Sequence, residues 1–81
     1  MSSDVLPRGF LPAGRHAVIR DLIGGWNLRQ RLAELGLVRG AKIGVVKNDL
    51  GGPLIVSIGE GRLAIGRGMA LKIMVEEVHE A

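Results

Sequence analysis

Only one stretch of this 81-residue chain has the spacing of a helix. Leu28, Leu32 and Leu35 recur at i, i+4 and i+7 as one apolar stripe, and Arg29, Arg31 and Glu34 fall off it toward water. The stretch carries its own start and stop. Asn27 suits an N-cap, because its side-chain oxygen can accept from an unpaired N–H of the first turn, and Gln30 completes a capping-box spacing. Gly36 stands where a left-handed C′ residue belongs, and Leu37 at C″ can meet Leu32 in a Schellman stop. A helix of about two turns is too short to stand alone. It must dock on something.

The rest of the chain supplies that platform. Residues 15–23 alternate, with Ala17, Ile19 and Asp21 on one face and His16, Val18, Arg20 and Leu22 on the other, and Gly24-Gly25 ends the run. After the helix, Arg39-Gly40 turns into residues 41–47, with Ile43 and Val45 inward. Residues 48–53 are turn formers around a single Leu50, which reads as a lid on the core or an exposed contact. Residues 54–58 alternate, Gly59-Glu60-Gly61 forms a hairpin connection, and residues 62–65 return. Residues 66–70 break the alternation as a tight 3₁₀-like turn, and residues 71–76 form a last strand with Leu71, Ile73 and Val75 together.

Five short strands with one short α-helix after the first predict a mainly β fold, a small SH3-like antiparallel barrel. Closing a sheet on itself is how so small a domain hides its edges. The expected organisation is a flexible N-terminal arm over residues 1–9, a barrel domain over 10–76 and an acidic C-terminal tail over 77–81. Phe10 and Leu11 are expected to pack on one end of the core.

Composition narrows the function. A chain of about 60 residues buries only about 60% of its unfolded surface, so a core of this size is modest. With no cysteine there is neither a disulfide nor a thiolate metal site. One Trp, one Phe and no Tyr argue against a base-stacking platform. The net charge of +3 makes an anionic partner worth testing, but the basic residues are dispersed and fit a solvated surface. No stretch approaches the roughly 20 apolar residues of a membrane span, and residues 1–4 do not open a secretory signal. The expectation is a cytoplasmic protein with no direct membrane span.

Catalytic readings fail one by one. Ser2 and Ser3 lie in the arm and Ser57 on a strand's polar side, with only His16 and His79 as bases, so no nucleophile–base–orienter set forms. Glu76, Glu77 and Glu80 fall at a chain end that lacks the rigid support catalysis needs. His79 with Glu76 or Glu80 could hold a stray divalent metal weakly, but no built metal-site spacing exists. Gly66-Arg67-Gly68 lacks the third glycine of a dinucleotide fingerprint, and no Gly-Lys-Ser/Thr is present. Trp26 is either a core or staple residue or an exposed anchor, since Trp is enriched in binding hot spots.

Four passages, taken in order, resemble the FeoA family. They are residues 28–37 ending in Leu-Gly-Leu, the turn and strand at 39–43, Gly52-Pro53-Leu54-Ile55-Val56, and residues 62–70 with 73–76. The resemblance implies an SH3-like barrel and a non-enzymatic accessory role in bacterial ferrous iron uptake. It implies protein–protein interaction with the cytoplasmic part of the GTP-binding membrane transporter FeoB, and neither a small-molecule substrate nor a cofactor. The same barrel resembles the C-terminal domain of diphtheria-toxin-repressor-type regulators, which keeps a stand-alone metal-responsive module as an alternative. A small-barrel nucleic-acid-binding protein is the other alternative, with nucleic acid disfavoured. Weak self-association stays open. Partner contact is expected at Trp26, Arg29, Arg31 and Leu50.

Overall fold

The computed structural model describes the backbone of residues 5–6 and, in full, residues 11–49 and 51–79. In chain order the elements are β1 (Val5–Leu6), β2 (His16–Leu22), α1 (Trp26–Glu34), β3 (Lys42–Lys47), β4 (Leu54–Ile58), β5 (Gly61–Ile65), α2 (Arg67–Ala70) and β6 (Ile73–Val78). All pairings are antiparallel, in the order β1-β6-β2-β3-β4-β5. The five longer strands and the helix after the first of them match the expected pattern.

Two features differ from the expected barrel. The sheet is linear in its pairing and is not closed by hydrogen bonds between β5 and β1. Instead, α1 and α2 lean over β5, where Leu32, Leu35, Leu63, Ile65 and Met69 line a shallow groove of about 260 Å³. The chain ends also join the sheet: Val5 and Leu6 pair with Glu76 and Val75, and β6 continues through Glu77 and Val78 beside Ala17 and His16.

The core is aliphatic, with no buried polar or charged residue among those described. Ile19, Leu37, Leu54, Val56, Ile73 and Val75 are its most enclosed members. Leu11 is buried in it, whereas Phe10 lies outside the described residues. At about 25 cal/mol per Å² of apolar area, each such side chain contributes roughly 1.5–3 kcal/mol, so the core rests on few residues.

Two bulges explain where simple alternation fails. The β2–β6 register runs Ile19↔Val75 and then Asp21↔Met74, which leaves Arg20 as the extra residue. Beyond it the parity flips: Leu22 turns into the core and Asp21 faces out, opposite to the expected assignment. The side chain of Arg39 donates to the Arg20 carbonyl and satisfies the bulged backbone. A second bulge places Val46 between Val45↔Val56 and Lys47↔Ile55.

The helix also differs at its ends. It begins at Trp26 with Gly25 as N-cap and no side-chain cap, so Asn27 lies inside the first turn and does not cap it. Glycine tolerates the N-cap geometry nearly as well as the polar cappers do, and the Gly24-Gly25 pair lets the helix start earlier. The stop forms as the spacing predicts: Leu37 N–H donates to Leu32 O at 2.8 Å and Gly36 N–H to Ala33 O at 2.9 Å, with Gly36 at φ +90. Leu35, however, is 50% exposed. The reversal at Gly36 sends Leu37 into the core in its place, so the docked face is Leu28, Leu32 and Leu37. Residues 67–70 form a single α turn, with Ala70 N–H bonded to Gly66 O, where a 3₁₀-like turn was expected.

Candidate partner-binding surface

The Gly24-Gly25 break frees the start of α1 from the sheet, and Trp26 stands there 72% exposed. Its indole joins neither the core nor a staple. Ile23 is also exposed, and its N–H donates to Lys72 O at 2.7 Å, which brings it beside exposed Leu71. Large apolar side chains are therefore displayed at the ends of β2, α1 and α2.

The two helix arginines differ. Arg29 is committed inside the chain: Nη2 donates to Leu22 O at 2.6 Å, Nε to Gly24 O at 3.3 Å, and Asp21 lies 3.8 Å away. Its planar fork thus ties α1 to the end of β2. Arg31 is exposed on the next turn and makes no hydrogen bond or ion pair among the described residues. Leu50 lies outside the described residues, but positions on either side of it are held by a residue that no pattern in the chain singles out.

That residue is Arg67. From α2 its guanidinium donates to Asn48 Oδ1 at 2.6 Å, to Gly52 O at 3.0 Å and to Asp49 O. Asn48 in turn donates from Nδ2 to Leu11 O at 2.9 Å. One side chain thereby fixes both sides of the 48–53 loop and, through Asn48, the segment before β2. The partners are mainly backbone carbonyls far along the chain, so no residue pattern announces them.

Of the groups considered for chemistry, Ser57 and His16 flank Gly44 from the two neighbouring strands. Glu76 and Glu77 belong to β6, where they form ion pairs with Arg20 of β2 and with Arg15 just before it. His79 lies 4.0 Å from Glu77. Among the described residues no group of three His, Cys, Asp or Glu side chains is placed to hold a metal ion. Nor is any described helix long and apolar enough to cross a membrane.

A small antiparallel sheet, a docked two-turn helix and apolar side chains displayed at its exposed end define a module of SH3-like class. Residues 9–77 match the FeoA domain, and the chain belongs to the FeoA family. A candidate Fe(2+) transport protein A of Methanocaldococcus jannaschii is 38% identical over 71 residues, which span 88% of this chain and 85% of that protein. The crystal structure of an iron uptake regulatory protein, FeoA, superposes with a TM-score of 0.85 at 37% identity, covering 93% of this chain and all of that one. The zinc complex of Stenotrophomonas maltophilia FeoA, described as a procaryotic SH3 domain protein, gives a TM-score of 0.70 at 29% identity over 90% of this chain and 89% of that one.

Proposed function

We propose that this chain is a non-enzymatic accessory protein of ferrous iron uptake that acts in the cytoplasm by binding the cytoplasmic part of a FeoB-type transporter. The observation that carries this reading is the family match over residues 9–77. The relatives whose names refer to Fe(2+) transport and iron uptake support it. The reading places partner contact at the start of α1 and on the 48–53 loop. Trp26 is the anchor there, because a solvated indole has much apolar surface to lose on binding. Arg31 supplies a charge that is not committed to any described residue. Arg29 contributes by holding α1 in place, and Leu50 is the contact from the loop.

The test is titration of the purified transporter's cytoplasmic part, with and without guanine nucleotide, against this chain and its Trp26→Ala variant. Saturable, salt-sensitive binding that the substitution weakens is expected. No association with the wild-type chain at high micromolar concentration would overturn the partner.

A further inference from the structure

Gly44 lies buried in the middle of β3, where a glycine weakens a strand and commonly marks a close approach. The approach is made by two polar side chains from the neighbouring strands. His16 of β2 and Ser57 of β4 are its register partners on either side. A Cβ at Gly44 would lie 2.7 Å from Ser57 Oγ and 3.3 Å from His16 Nε2, so these two polar atoms stand within about 6 Å of each other across the missing side chain.

Around that gap a notch of about 280 Å³ opens on the outer face of the sheet, with Lys42, His16 and Ser57 among its lining residues. No carboxylate of the described residues lines it. The set is therefore rich in donors: an ammonium with three, a hydroxyl and an imidazole N–H. Ser57 Oγ has only a long contact, 3.4 Å, to Gly44 O, which leaves its proton available for a better acceptor. Acid-free donors from three adjacent strands suit an anion with several acceptor oxygens, and they do not suit a metal ion.

We propose that the notch over Gly44 is a phosphate-class oxyanion site, held by Lys42, Ser57 and His16. The glycine is its floor, because any side chain there would occupy the ligand's place. The site lies on the outer face of β2–β4 and stands independently of the transporter reading.

The test is an NMR titration of the ¹⁵N-labelled chain with inorganic phosphate at fixed ionic strength, with chloride and acetate in parallel. Saturable shifts centred on His16, Lys42, Gly44 and Ser57 are expected with phosphate alone. Loss of one charge-assisted hydrogen bond corresponds to about tenfold in affinity, so Lys42→Met and Ser57→Ala are each expected to weaken binding by about that factor. Gly44→Ala should abolish it by filling the floor, and if that variant does not fold the other two decide. A parallel titration with a nucleoside diphosphate separates the sources: tighter binding than inorganic phosphate assigns the group to a nucleotide, equal or weaker binding to free phosphate. Shifts that stay linear in concentration, that chloride or acetate reproduces, or that survive both substitutions within about twofold overturn the proposal.

Discussion

Arg67 Nη1 donates to Asn48 Oδ1 at 2.6 Å, joining two residues nineteen positions apart. Because the same guanidinium also serves the carbonyls of Gly52 and Asp49, it replaces solvent on one side of a glycine-rich loop. The loop's order therefore depends on one planar cation. A hydrogen bond to a charged group is worth about 1.5–3 kcal/mol, but Arg67 is only half-buried and the contribution is reduced accordingly. Arg67→Ala is expected to cost about 1–2 kcal/mol in urea denaturation and to raise amide exchange across residues 48–53. Arg67→Lys should restore little of it, since a point charge cannot reach three acceptors in a plane.

Gly36 closes the helix at φ +90, and a Cβ there would also come within 3.2 Å of Ile58 Cδ1. Both effects oppose a side chain. Gly36→Ala is expected to destabilise the domain by about 1–3 kcal/mol with an unchanged m-value, read from the denaturation midpoint.

Leu32 lies in α1 and Leu35, three positions on, is its C-cap, and the two have opposite fates. Leu32→Ala should cost about 2–5 kcal/mol, because it empties a core site. Leu35→Ala should stay within about 0.5 kcal/mol. Equal losses for the two would contradict the placement of the helix.

Trp26→Ala should leave the thermal midpoint within about 2–4 °C while weakening the partner by about tenfold or more. Because Trp26 is the chain's single tryptophan, its emission in the free protein should be that of a solvated indole. A blue shift on complex formation would report its burial directly.

These contrasts show where the amino-acid pattern suffices. Strict alternation in Leu54, Val56 and Ile58 set β4 correctly, and Gly36 announced the helix stop, because each depends only on neighbours in sequence. Alternation alone puts Asp21 and Leu22 on the wrong faces, because a bulge adds a residue without any change in composition. Leu35 continues a helical period that the backbone has already left after Glu34, Leu35 itself being the C-cap. The surface was less legible than the fold. The exposure of Trp26 was one of two readings open to it, the internal commitment of Arg29 was not expected, and Arg67 binds carbonyls that carry no side-chain signature.

The strand order has a consequence in time. β2 is among the first elements to be synthesised, yet one of its two edges is completed only by β6, so that Arg15 meets Glu77 across 62 positions. Long-range pairings of this kind are reached late, after the entropy of closing a loop of 62 positions has been overcome. A nascent chain halted before Ile73 would hold β2 with half its ladder open. On the ribosome, this domain should gain protease resistance only after its last strand has left the exit tunnel.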